Sequence, residues 1–288
     1  MTDTVSGQPV TVGEALREAA GALSGLPDGN PRLEAELLLT EVTGWPRTHL
    51  FAWPERPLDS AALTAFRSML ARRRTGEPLA YIRGRQAFWT LELRVTPDTL
   101  IPRPETELLV EIALAQADAE SSRRVADLGT GSGAIAAALA KERPLWLVIA
   151  VERSAPALAV ARANFAALRL PNCLPLRGDW LAPLGSHTLD LILANPPYVP
   201  SGDPHLSRGG LRFEPLGALD AGPEGLDAVG AIGGEARRCL RPGGLLALEH
   251  GFDQGPAVRH LLSDLGLRAP ETRQDLAGQE RVTLAWAD

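Results

Sequence analysis

The stretch Arg124-Val125-Ala126-Asp127-Leu128-Gly129-Thr130-Gly131-Ser132-Gly133 decides how this chain folds. Arg124–Leu128 reads as a short, largely apolar strand, and the residues from Ser132 to Lys141 read as a helix, so a strand runs through a glycine turn directly into a helix. Glycines let the backbone turn sharply there, and a ligand can approach where no side chain intrudes. The start of the helix offers free N–H groups to polar or anionic ligand atoms. On its own the loop serves any of several nucleoside cofactors, or simply packs tightly.

Outward from this stretch, strand and helix patterns alternate with short connections. Trp146–Val151 reads as a strand, Pro156–Leu168 as a helix, and Cys173–Arg177 and Thr188–Ala194 as strands. Leu226–Leu240 follows as a helix, Leu245–Glu249 as a strand and Pro256–Leu265 as a helix, and Arg281–Trp286 adds a candidate antiparallel strand. Apolar strands alternating with helices predict an α/β domain with a mostly parallel sheet covered on both faces. Upstream, residues 1–76 read as a small helical domain. Asn30 caps a helix that carries Pro31 at its first position and ends before Gly44, and a second helix from about Asp59 to Arg74 places Leu63, Phe66 and Leu70 on one stripe, with Gly76 as its stop. Arg72-Arg73-Arg74 reads as a solvated cationic cap on that helix's negative end. Residues 77–104 read as a linker holding a β-hairpin through Ala87–Trp89 and Leu91–Val95, and residues 105–288 form the α/β domain. Pro104 suits the first turn of the helix that opens it, and Glu105 and Glu107 suit its positive end.

The 288 residues are 45% hydrophobic and 22% charged, an ordinary globular composition. A net charge of −6 tilts against a broad phosphate-tracking surface. The two cysteines, Cys173 and Cys239, form no CxxC pair and read as thiols in a reducing compartment. Met1–Val10 is polar and lacks the apolar stretch of a signal peptide. The longest apolar runs, Ala134–Ala140 and Leu145–Val151, are too short to span a bilayer, so the expected location is the cytoplasm.

Chemistry gathers at the ends of the predicted strands. Glu152 follows the second strand of the α/β region, where a carboxylate can accept hydrogen bonds from both hydroxyls of a ribose. The loop Gly129–Gly133 suits NAD, FAD or S-adenosylmethionine, but Ala134 stands where the strict dinucleotide pattern G-x-G-x-x-G has its third glycine. Trp180 lies beyond the third strand, as an adenine-packing ring or a core residue. The decisive loop is Asn195-Pro196-Pro197-Tyr198, directly after an apolar strand. A planar amide or amino nitrogen gives its lone pair to a neighbouring π system and is a poor nucleophile. Two acceptors, one per N–H, turn that lone pair toward a methyl donor; the Asn195 side-chain oxygen and the Pro196 carbonyl can supply them. Two prolines fix φ and remove N–H donors, and Tyr198 offers a flat face to a planar group. Asn195, Pro196 and Tyr198 are the candidate catalytic residues and Asn195–Tyr198 the candidate substrate seat. A sulfonium-borne methyl group needs no metal, so positioning and hydrogen bonds should supply most of the rate.

These residues resemble the protein-(glutamine-N5) methyltransferases, specifically the bacterial branch acting on peptide chain release factors. The resemblance covers nearly the whole chain. It rests on Asn195–Tyr198 and Asp127–Gly133, on Glu77-Pro78-Leu79-Ala80-Tyr81-Ile82 with Gly84 and Phe88, and on Ile101-Pro102-Arg103-Pro104-Glu105-Thr106-Glu107. It continues in Gly225-Leu226-Asp227, Leu248-Glu249-His250-Gly251, Asp275-Leu276-Ala277-Gly278 and Glu280-Arg281-Val282. It implies a Rossmann-like class I methyltransferase domain with a mostly parallel seven-stranded sheet, behind a helical substrate-recognition domain. It implies S-adenosylmethionine held by Gly129, Thr130, Gly131, Ser132, Gly133, Glu152, Trp180 and Asn195, with a substrate glutamine against Asn195, Pro196, Pro197 and Tyr198. Many relatives have Asp where Glu152 stands. The implied substrate is the glutamine of the Gly-Gly-Gln loop of class 1 release factors, met by a monomeric enzyme with no membrane or direct nucleic-acid partner.

Arg103 and Glu105 are either pocket residues or a cap with ion pairs. Glu249 and His250 read as structural hydrogen-bonding residues, and Phe213-Glu214-Pro215 as part of a lid. Four other functions use some of the same features. A ribosomal-protein glutamine methyltransferase shares both loops, and a DNA adenine-N6 or cytosine-N4 methyltransferase acts on an electronically similar nitrogen but needs a flipped base and usually a basic groove. An NAD-dependent oxidoreductase leaves Asn195–Tyr198 unexplained. A non-catalytic module that binds translation factors would not need Asn195 for its role.

Overall fold

The structure, a computed structural model, describes residues 9–26, 29–118, 120–207 and 209–288. Most of the polar segment Met1–Val10 lies outside those residues. The chain divides into two compact units, Met1–Gly84 and Arg85–Asp288. Among the described residues no helix is long and apolar enough to cross a membrane.

The first unit holds helices α1 (Val12–Leu23), α2 (Pro31–Thr43), α3 (Arg47–Ala52), α4 (Ser60–Arg74) and α5 (Leu79–Arg83). Leu16, Leu38, Leu39, Leu50 and Phe66 are buried in their shared core. The expected caps are in place: the Asn30 side chain accepts from Leu33 N–H at 3.1 Å and Asp59 from Ala62 N–H at 2.7 Å. α1 lies outside the helices expected from apolar pattern, although Thr11 and Glu14 form a reciprocal capping box at its start. The arginine cluster also differs from the expected solvated cap. Arg73 is largely buried and bonds Glu34 of α2 at 2.7 Å, while Arg72 pairs with Glu77. The segment read as the start of a linker after Glu77 instead forms α5, where Ala80, Tyr81 and Ile82 are all buried in succession, a pattern an alternating strand cannot produce.

The second unit opens with a hairpin of β1 (Arg85–Phe88) and β2 (Leu91–Arg94), paired Phe88 to Leu91 around a turn in which Trp89 has φ 56°. It continues through α6 (Glu107–Leu114), β3 (Arg124–Leu128), α7 (Ala134–Glu142), β4 (Leu147–Glu152), α8 (Ala155–Ala167), β5 (Cys173–Arg177) and β6 (Leu189–Ala194). It ends with α9 (Asp227–Cys239), β7 (Leu240–Glu249), α10 (Gly255–Asp264), β8 (Arg268–Gln274) and β9 (Glu280–Trp286). The seven-stranded sheet runs β5-β4-β3-β6-β7-β9-β8, and β9 is antiparallel to both of its neighbours. One face packs against α6, α7 and α8, through residues such as Leu109, Leu139 and Phe165, and the other against α9 and α10 through Val229, Ile232, Val258 and Leu262. β7 starts earlier than its apolar run, because Leu240 already pairs with Leu189 before a register shift resumes at Leu245 and Leu191. β8 has no apolar periodicity: it is an edge strand of Arg, Glu, Thr and Gln, and so escapes hydrophobic pattern reading.

Successive strands step outward from β3 toward β5, and the chain then returns to place β6 on the other side of β3. The reversal leaves a crevice at the carboxyl ends of β3 and β6, where sheets of this kind bind ligands.

Candidate active site

Strand register builds the site. Leu128 of β3 pairs with Val151 of β4 on one side and with Ala194 of β6 on the other, and Ala194 pairs with Leu248 of β7. The next residues along these four strands are Gly129, Glu152, Asn195 and Glu249. They stand as one row across the carboxyl edge of the sheet.

A cavity of about 330 Å³ opens above this row. Gly129, Thr130, Gly131, Ser132, Glu152, Trp180, Asn195 and Pro197 all line it. Gly133, Pro196 and Tyr198 do not: Gly133 is the N-cap of α7, and Pro196 is buried. Lining residues that no sequence motif marks as site residues include Leu100, Pro102, Thr106, Gly217 and Ala218, along with Pro215 of the expected lid.

The glycine loop is held from beneath and from the side. Asp127, buried at the end of β3, accepts from the Thr130 hydroxyl at 2.5 Å and from Ala136 N–H at 3.1 Å, so one carboxyl ties the loop to the first turn of α7. Burial pushes that carboxyl up to about 6. Asn164 of α8 donates to the Ser132 carbonyl at 2.8 Å. Glu152 closes the other wall by accepting from Gly131 N–H at 3.0 Å and Ser154 N–H at 2.8 Å, one bond on each oxygen. Each oxygen keeps a further lone pair for a ligand hydroxyl. Trp180 has φ 41°, an unfavourable backbone for a bulky residue, and its ring lies against Gly129 so closely that a Cβ there would sit 3.2 Å from ring carbon Cζ3.

At the reacting end, the Asn195 side-chain NH₂ donates to the Thr106 hydroxyl at 3.0 Å, which among the described residues leaves its carboxamide oxygen as the unengaged acceptor. Gln254 braces the same loop by donating to the carbonyls of Tyr198, at 3.1 Å, and Gly225, at 3.3 Å. Tyr198 is half-buried, and burial together with the nearby Glu249 charge pushes its phenol up to about 12. It is therefore neutral at any working pH.

Arg103 enters an ion pair with the buried Glu214, which also accepts from Ile101 N–H at 3.1 Å. This contact joins the 100–102 and 215–218 segments, both of which wall the cavity. Of the two roles open to Arg103, the structure shows the ion pair, and its two partners lie in proline-rich motifs, though neither motif names the other. His250 is buried, bonding the Gly251 carbonyl and the Thr283 hydroxyl at 2.8 Å each, in keeping with the structural role read for it. Cys173 and Cys239 are buried free thiols.

Residues 14–84 match the family model of the PrmC N-terminal domain and residues 104–207 that of the methyltransferase small domain. Solved structures with this fold include a methyltransferase from Pyrococcus furiosus, with TM-score 0.52 and 19% identity over 76% of this chain and 97% of that one. Another is the T. thermophilus 16S rRNA N2 G1207 methyltransferase in complex with AdoMet and guanosine, with TM-score 0.53 and 22% identity over 71% of this chain and 50% of that one. Identities this low speak for the fold alone, and the fold is that of a class I methyltransferase. Nearer relatives narrow the class. The release factor glutamine methyltransferase of Pseudomonas aeruginosa is 52% identical over 266 residues, 92% of this chain and 96% of that protein. Those of Vibrio cholerae and Escherichia coli are 46% and 45% identical, over 96% and 93% of this chain and 96% of each relative. The chain belongs to the release factor glutamine methyltransferase family. An oxidoreductase reading of the glycine loop is thereby set aside.

Proposed function

We propose that the chain transfers a methyl group from S-adenosylmethionine to the side-chain amide nitrogen of the glutamine in the Gly-Gly-Gln loop of class 1 release factors. The observation that carries this reading is the pairing of Leu128 with Ala194, which sets the glycine loop and Asn195 side by side over one cavity. The relatives' shared name supplies the substrate. The residues present suit the cofactor: a carboxylate with spare lone pairs at Glu152 for the ribose hydroxyls, a bare backbone at Gly129, and an aromatic wall at Trp180. When bound, S-adenosylmethionine supplies a methyl group on a sulfonium whose sulfur is a good leaving group.

The chain's own residues do the rest. The Asn195 carboxamide oxygen accepts one N–H of the glutamine amide and the Pro196 carbonyl accepts the other. Their combined pull orients the nitrogen lone pair along the line of transfer. Pro196 and Pro197 keep the loop stiff and free of competing donors. Methylation makes the nitrogen acidic, so its proton leaves to solvent without a dedicated base.

We assign recognition of the protein partner to the helical domain of residues 1–76. In that domain Trp45, His49 and Trp53 stack with centroids 4.8 and 4.4 Å apart, Arg56 lies 4.2 Å over the Trp45 ring, and Phe51 and Trp53 remain about half exposed. Aromatic and arginine side chains are the usual anchors of protein interfaces. Release factors act on cytoplasmic ribosomes, so the reading places a monomeric enzyme in the cytoplasm.

The direct test is mass spectrometry of a release factor incubated with the enzyme and S-adenosylmethionine. The expected product is a single methyl on the Gly-Gly-Gln glutamine; methylation only of undermodified ribosomal protein, or of duplex DNA, would sink the assignment. Glu152→Ala is expected to weaken cofactor binding about 10–100-fold, the loss of a charge-assisted pair worth roughly 1.5–3 kcal/mol. Calorimetry with S-adenosylhomocysteine reads this directly, and an affinity unchanged within twofold would remove Glu152 from the cofactor site.

A further inference from the structure

We propose that Thr106 and Glu249 form a one-way hydrogen-bond relay that fixes which atom of the Asn195 carboxamide faces the substrate. Thr106 and Glu249 are thus positioning residues, acting through Asn195 and resting on the acceptor role given to it above.

Geometry supplies the relay. Register sets Glu249 one strand over from Asn195, since Ala194 pairs with Leu248. Thr106, buried at the start of α6, receives a hydrogen bond from the Asn195 NH₂ at 3.0 Å, and its hydroxyl helps to hold Glu249 ionised, which assigns its own proton to that carboxylate. An ionised carboxylate only accepts, so the Thr106 O–H must point at it. The lone pairs of that hydroxyl are then left for Asn195, which must present NH₂ to Thr106 and oxygen to the cavity. A neutral Glu249 breaks the logic. Its own O–H can donate to Thr106, the hydroxyl turns to donate to Asn195, and the carboxamide rotates with its NH₂ toward the substrate. Donor then meets donor, and the glutamine amide loses its acceptor.

The surroundings leave Glu249 free to change state. It is buried, and its second oxygen has no hydrogen-bond partner among the described residues. The groups that face it are Arg281 on β9, Arg103 and Glu105 before α6, and the Tyr198 phenol. Both cations are engaged elsewhere, Arg281 with Asp275 and Arg103 with Glu214. Glu105 adds repulsion, the adjoining His250 is disfavoured from charging by burial, and Tyr198 stays neutral. Burial therefore prevails, and the carboxyl is pushed up to about 7.

The sign of the effect follows. Turnover is full where Glu249 is ionised and falls as pH drops through about 7. At pH 8, Thr106→Val and Glu249→Gln are expected to lose about tenfold or more in kcat, the scale of a small misplacement of a reacting group. For Glu249→Gln, cofactor affinity should stay within about twofold of wild type on the same principle, since Glu249 does not line the cavity. Thr106→Ser, which keeps the hydroxyl, recovers most of the loss. Both T106V and E249Q flatten the acid limb of the kcat profile.

A second measurement needs no substrate. The side-chain NH₂ resonances of Asn195, assigned by their loss in Asn195→Ser, are followed by ¹⁵N NMR from pH 6 to 8 in all four proteins. The relay predicts a transition near pH 7 in wild type and T106S that is missing from E249Q and T106V. An Asn195 signal that ignores pH, or that titrates equally in E249Q, overturns the relay. Should T106V fail to fold, the comparison of wild type with E249Q decides by the same criterion. Failure of methyl transfer by wild type, with the NMR transition present, would count against the assigned substrate and leave the relay standing.

Discussion

Asn195→Ala is expected to cut methyl transfer by about 10²–10³-fold, the usual cost of deleting one preorganised hydrogen-bonding group at a reacting centre. Asn195 lies at the end of β6 with its NH₂ committed to Thr106, so the atom that alanine removes from the cavity is the carboxamide oxygen. The effect should fall on kcat. The cavity wall formed by Glu152, Gly131 and Ser154 does not depend on Asn195, and melting temperature should change little because the residue is only half-buried. Initial rates on purified release factor at saturating cofactor give the number. A variant retaining more than about a tenth of wild-type turnover would show that Asn195 supplies no such group.

Gly133→Ala is expected to damage the protein by a different route, through stability. Gly133 has φ 84°, and a Cβ built on it would lie 2.5 Å from Phe165 Cε1, 2.7 Å from Phe165 Cζ and 3.3 Å from the Ala161 methyl. A left-handed backbone costs an ordinary residue roughly 1–2 kcal/mol, and overpacking a core costs about 1–3 kcal/mol more. A total of about 2–5 kcal/mol is a large part of the roughly 5–15 kcal/mol that holds a typical domain together. For a domain of this size the melting temperature should fall by roughly 5–15 °C. Trimming the obstructing ring, as in Gly133→Ala with Phe165→Leu, should return part of the loss, because the two sites share one contact. A single variant that melts within about 2 °C of wild type would mean that α8 yields at no cost.

Much of the cofactor side is legible in the sequence because its residues are contiguous. Asp127–Gly133 is a strand end, a turn and a helix start in sequence order, and Asn195–Tyr198 carries its acceptors and its rigidity within four residues. What escapes is what register creates. Glu249 reads as the end of an apolar strand, and only the pairing of Ala194 with Leu248 brings it beside Asn195. Thr106 and Glu214 belong to motifs that stand out in the sequence, yet nothing local announces that one takes a hydrogen bond across 89 positions or that the other closes on Ile101 and Arg103. The elements that pattern reading misses have their own reasons. α1 does carry a legible signal, the stripe Val12, Ala15, Leu16, Ala19 and Leu23 behind the Thr11–Glu14 capping box, whereas β8 is polar because an edge strand has less to bury. The helix after Pro78 passes for linker because five residues are too few to tell one period from another.

The seat proposed at Asn195, Pro196 and Pro197 also selects by what it turns away. The prolines carry no N–H, and the Asn195 NH₂ is tied to Thr106, so the loop meets its guest with oxygen lone pairs. A glutamate in place of the glutamine would bring a full negative charge and no hydrogen to share, and lone pairs would face lone pairs in a confined space. Such an anion is repelled as well as unreactive. A release factor whose loop has lost its amide by deamidation is therefore no acceptor for methyl transfer at this seat.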